Sequence, residues 1–131
     1  MSPERRRDAL GRPLGDDADP ALVAPGIPDV DGLSDEQTWR MAIDYLDRGL
    51  PFHAHEVFEM RWRVAPSADR EAWRALAQWG AALTHLARGN AVGARALAER
   101  TLTTLASASE IPACVDRKQV EDACRQILAR S

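Results

Sequence analysis

Glycine and proline divide this chain into segments that are each about one helix long. Gly49 closes one segment and Pro51 opens the next, Pro66 ends it, Gly89 ends the following one, and Pro112 breaks the chain again. Glycine just past a helix end and proline in a first turn are the residues that those positions favour. Between these signals no stretch alternates apolar and polar residues with period two, so no strands are predicted. The pattern therefore predicts an all-α fold: a compact bundle of about five helices, as two stacked helical hairpins plus a C-terminal helix.

The first helix starts at the capping box Ser34-Asp35-Glu36-Gln37, in which serine and glutamine each satisfy the other's free backbone amide. It carries Trp39, Ile43 and Leu46 inward and stops at Gly49. The second runs from Pro51 to about Val64. The third is expected to start at Ser67 and reach Arg88. Asn90 is a natural N-cap for a fourth helix through about Leu105, and Asp116 caps a last one that presents Val120, Cys124, Ile127 and Leu128. Residues 42–59 and 82–99 echo one another at an offset of forty, with identities that include Leu46/Leu86, Arg48/Arg88 and Gly49/Gly89. Gly80 lies inside the third helix, where glycine costs about 1 kcal/mol relative to alanine, so a packing reason is expected.

Residues 1–32 hold five prolines and four glycines without a helical period, and are read as an extended or disordered arm. Residues 33–131 are then a single helical domain, a size compatible with a real core. All four tryptophans fall between residues 39 and 79, so the core should centre there. The net charge of −3 argues against nucleic acid as a partner, although Arg5, Arg6 and Arg7 form a local basic cluster. No apolar run approaches the roughly 18 residues of a membrane span, and the N-terminus lacks the apolar core of a secretory signal. Cys114 and Cys124, ten apart, fit neither a zinc ribbon nor a redox pair and read as free thiols of a cytoplasmic protein.

The chemically distinctive segment is Phe52-His53-Ala54-His55-Glu56-Val57-Phe58-Glu59-Met60-Arg61-Trp62. At about 100° per residue, Phe52, His55, Phe58, Glu59 and Trp62 share one face, and His53, Val57, Met60 and Val64 share another. The first face is expected to point inward, with His53 as a polar edge residue. An imidazole and a carboxylate four apart can share one ion or hydrogen-bond each other. Three readings follow for His55 and Glu59: a structural buried pair, two ligands of a divalent metal such as zinc, or a pocket in which Glu59 is the general base. Further groups would come from the third helix, with Gln78 lining the site and His85 as a weaker third ligand. Phe58 and Trp62 would be its aromatic walls.

With its His, three residues, Glu, two residues, Trp (His55 to Trp62), the chain resembles a bacterial and archaeal family called domain of unknown function 309. The likeness extends to Trp73–Gln78, His85–Asn90 and Gly93-Ala94, and covers about residues 40–106. The tract Asp8–Leu14, DALGRPL, is similar to one found ahead of this domain and hints that part of the arm docks. The resemblance implies an all-α fold and a His/Glu motif suspected of binding metal, without a settled activity. Two functions are carried forward. One is a metal- or small-ligand-binding protein built around His55 and Glu59. The other is a non-catalytic protein-interaction module, homodimeric in one version, in which the pair is structural.

Overall fold

The computed structural model describes residues 7–14 and 24–130. Five helices follow in order: α1 (Asp35–Asp47), α2 (Pro51–Val64), α3 (Arg70–Ala87), α4 (Ala91–Ser107) and α5 (Arg117–Ala129). Among the described residues the one extended pairing is an isolated bridge between Arg7 and Pro13. The expected all-α bundle is what forms.

The helix ends follow local chemistry. Ser34 and Gln37 make both hydrogen bonds of the capping box, and Asn90 and Asp116 accept from Gly93 and Gln119 at the starts of α4 and α5. Gly49 and Gly89 take φ of 74° and 80°, where an L side chain is strained. Their turns repeat the same bonds forty residues apart. Gly49 N–H donates to Leu46 and Leu50 N–H to Tyr45, just as Gly89 donates to Leu86 and Asn90 to His85. This is the glycine-stopped Schellman geometry, and it accounts for the Gly49/Gly89 identity within the sequence echo. The start of α3 differs from expectation. Residues 67–69 form a turn closed by Asp69 N–H on Pro66 O, and the helix begins at Arg70.

α3 packs along both α2 and α4, while α1 covers α2 and α5 covers α4. Phe58 of α2 is the hub of the core, with ring centroids 6.2 Å from Trp39, 6.3 Å from Trp73 and 6.1 Å from Trp79. The tryptophan-rich centre is therefore where it was expected, except that Trp62 is only partly buried. Arg61 ties α2 to α1 by pairing with Asp35, and its guanidinium lies 5.8 Å from the Trp73 ring.

The N-terminal arm is not merely a spacer where it is described. Val30 is fully buried, and Ala9, Ala24 and Ile27 pack against the core, so core residues begin ahead of position 33. Asp8 closes residues 8–12 into a tight loop, accepting from Leu10 N–H and Arg12 N–H through its side chain and from Gly11 N–H through its carbonyl. Gly11, at φ 79°, lies so close on Phe52 that a Cβ there would run into the ring. Arg88, the C-cap residue of α3, grips the loop, donating through Nε (2.9 Å) and Nη2 (2.6 Å) to Leu10 O. Arg5 and Arg6 lie outside the described residues; Arg7 folds back, its guanidinium 5.1 Å from the Phe52 centroid. Among the described residues no helix is long and apolar enough to cross a membrane.

Candidate functional site

The two histidines of α2 exchange the roles that the helical wheel assigned them. His53, expected at an edge, is buried: its Nε2 lies 2.6 Å from Pro25 O, and its ring packs 5.2 Å from that of Tyr45. A carbonyl can only accept, so Nε2 carries the proton and Nδ1 is left buried without a partner. His55 and Glu59, expected to point inward, keep 20% and 26% of their side-chain surface exposed. The reason is geometric. The line of α2 that faces its neighbours runs through Ala54, Val57 and Phe58, all fully buried. His55 is one residue, about 100°, round from Ala54 and falls on the margin.

On that margin the residues gather into one cluster. His55 Nε2 lies 3.3 Å from Glu59 Oε2, and His55 Nδ1 lies 3.4 Å from Glu56 Oε1. Donor atoms of His55, Glu56 and Glu59 all come within 4.8 Å of one another. Glu56 was absent from the expected set, because a wheel separates neighbours by about 100° while long side chains reach back across that gap. Its nearness to His55 in sequence was the available signal. The imidazole is thus flanked on both sides by carboxylates. Glu59 also pairs with Arg63. The hydrogen bond with His55 holds the Glu56 carboxyl below the ordinary carboxylate range. Burial opposes this, and the charges of His55, Arg7 and Arg63 support it.

The remaining candidates lie elsewhere. Phe58 is enclosed in the core, and the ring beside His55 is Phe52, at 6.2 Å. α2 and α3 run antiparallel, since His55 meets Gly80 while Phe58 meets Trp73. Gln78 and His85 are about 160° and 140° round α3 from Gly80, so neither belongs to the line that faces His55. Gln78 instead lines an open groove between α3 and α4 with Arg74, Glu99 and Arg100. His85 Nδ1 accepts from Asn90 Nδ2 at 3.1 Å, while Asn90 Oδ1 caps α4 through Gly93 N–H. His85 therefore steadies an N-cap.

One imidazole and two carboxylates suit a borderline divalent cation, and three donors leave coordination positions open to water or a ligand. An imidazole can give only one nitrogen to an ion. The other nitrogen then donates its hydrogen to the second carboxylate, as the outer partners of metal-bound histidines do. The ring at the centre of this cluster has an acceptor on both sides for that arrangement. Residues 39–97, which contain the whole cluster and the Gly80 contact, match the model of a family described as Domain of unknown function (DUF309). No curated protein and no solved structure matches the chain.

Proposed function

We propose that His55, Glu56 and Glu59, which lie within the residues 39–97 that match the DUF309 model, bind one divalent cation of the zinc type. The observation that carries the reading is the mutual approach of their donor atoms to within 4.8 Å on a single helix turn. His55 and Glu59 are the primary ligands, and Glu56 either completes the set or holds the ring's second nitrogen. Glu59 already engages His55 and Arg63, which favours a ligand's role over that of a free general base. Such an ion, once bound, would supply Lewis-acid polarisation of an oxygen on a bound small ligand.

Equilibrium dialysis against zinc, followed by elemental analysis, tests this. Wild type should retain about one equivalent, His55→Ala and Glu59→Gln should retain none, and Glu56→Gln should bind about 10–100-fold more weakly. Wild-type protein that retains no more zinc than His55→Ala overturns the reading. A rival takes Arg63 as the cation for which the carboxylates are arranged, with the cluster as an ion-pair network of an interaction module. In that case Arg63→Met should destabilise the fold more than it changes zinc retention.

A further inference from the structure

Phe52 is shared by two structures that lie far apart in sequence. One side of its ring carries the 7–14 loop, through Gly11 and the Arg7 guanidinium. Its other neighbours on α2 include His55, 6.2 Å away between ring centroids. Arg7 is oriented by its own loop, because Nη1 donates to Gly11 O at 2.6 Å. Its positive charge is therefore held on the Phe52 ring, one ring away from His55. Arg7 is one of the charges that the Glu56 carboxylate feels.

We propose that docking of the 7–14 loop on Phe52 and divalent-cation occupancy of the His55–Glu56–Glu59 cluster oppose one another, with Arg7 as the coupling residue. The proposal rests on the cation reading of that cluster. Without an ion, Arg7 offsets part of the negative charge on the Glu56 side of the cluster, and the loop stays seated. A divalent cation takes over that role and repels the guanidinium across a half-buried, incompletely screened gap. Coupling of this kind is reciprocal: if the ion weakens loop docking by some factor, a docked loop weakens the ion by the same factor. The contacts that resist release are specific: the Asp8 turn, the fork of Arg88 on Leu10 O, and the flat seat of Gly11 on Phe52.

The test titrates zinc into wild type, Arg7→Met and Gly11→Ala by calorimetry. Hydrogen exchange of the Asp8 and Gly11 amides, both bonded inside the loop, is followed in parallel. Arg7→Met keeps a stem on Phe52 and loses the charge, whereas Gly11→Ala cannot seat on the ring. Zinc should speed exchange of both amides in wild type. Both variants should bind zinc about fivefold more tightly, and circular dichroism should show the helices intact. Zinc binding with the same Kd in all three proteins, or slower amide exchange on adding zinc, overturns the coupling while leaving the cation site standing. Absence of any zinc binding to wild type removes the cation reading and the coupling together.

Discussion

Gly80 of α3 lies directly against the backbone of His55 in α2: a Cβ at Gly80 would stand 2.7 Å from His55 Cα and 3.0 Å from His55 N. The opposing atoms are main chain and cannot rotate away. G80A should gain about 1 kcal/mol of helix propensity and lose more, as overpacking costs about 1–3 kcal/mol. A net loss of about 1 kcal/mol, read from the urea midpoint at unchanged m-value, is expected. A stabilised G80A would mean that the helices separate freely at this crossing.

The depressed Glu56 carboxyl makes stability depend on acidity in a defined direction. Its folded-state pKa lies below its ordinary value of 4.5, so the unfolded chain binds the proton more readily. The contribution is therefore complete above about pH 4.5 and is lost as pH falls through the folded value. Because the side chain is 37% exposed, water screens the effect and only its sign is specified. E56Q should flatten the acid limb of urea-measured stability between about pH 5 and pH 3. An E56Q curve parallel to wild type in that window would show that His55 and Glu56 do not interact in solution.

The two thiols should separate cleanly in reactivity. Cys124 is fully buried in α5, and burial pushes its pKa up to about 11. Cys114 is only partly buried; desolvation and the nearby Asp35 raise its pKa as well. Alkylation at pH 8 should modify Cys114 in the folded protein and reach Cys124 only through unfolding, about 100-fold or more slowly. Peptide mapping over time distinguishes the two. Equal labelling rates would place Cys124 on a surface that opens locally.

The capped and glycine-stopped helix ends were legible because their causes are local, whereas the start of α3 lacks a side-chain cap and falls three residues beyond the expected Ser67. Ser34 and Gln37 need only each other, and Gly49 and Gly89 relieve strain at their own φ. The site was legible only in part. His55 and Glu59 follow from spacing along one helix, but their depth depends on which line of α2 the neighbours cover, and no periodicity within α2 decides that. Gln78 and His85 required the rotation of α3, which is set by Gly80 against His55. That clue was present as a costly glycine inside a helix, and it pointed away from both residues. The docking of Asp8–Leu14 depends on Phe52 and Arg88, too distant in sequence for pattern alone to connect.

His53 owes its one hydrogen bond to a residue 28 positions away, and it gives the most discriminating pair of variants. Pro25 O covers Nε2 and Tyr45 covers the ring, while Nδ1 is buried with no donor to meet it. An unmet buried acceptor costs about 1–3 kcal/mol, comparable to what the Pro25 bond contributes. His53→Phe removes both at once, and Pro25 is exposed enough for water to take its carbonyl. Its global stability should therefore stay within about 1 kcal/mol of wild type. The chain around Pro25 should nevertheless lose its anchor, seen as faster exchange of the Ala24 amide that bonds to Arg7 O. His53→Ala leaves an unfilled space between Tyr45 and Phe52 and should cost about 2–4 kcal/mol. If Phe and Ala destabilise equally, the Pro25 hydrogen bond dominates and the burial argument fails. If Ala24 exchange is unchanged in the Phe variant, the arm is held by Val30 and the 7–14 loop without help from His53.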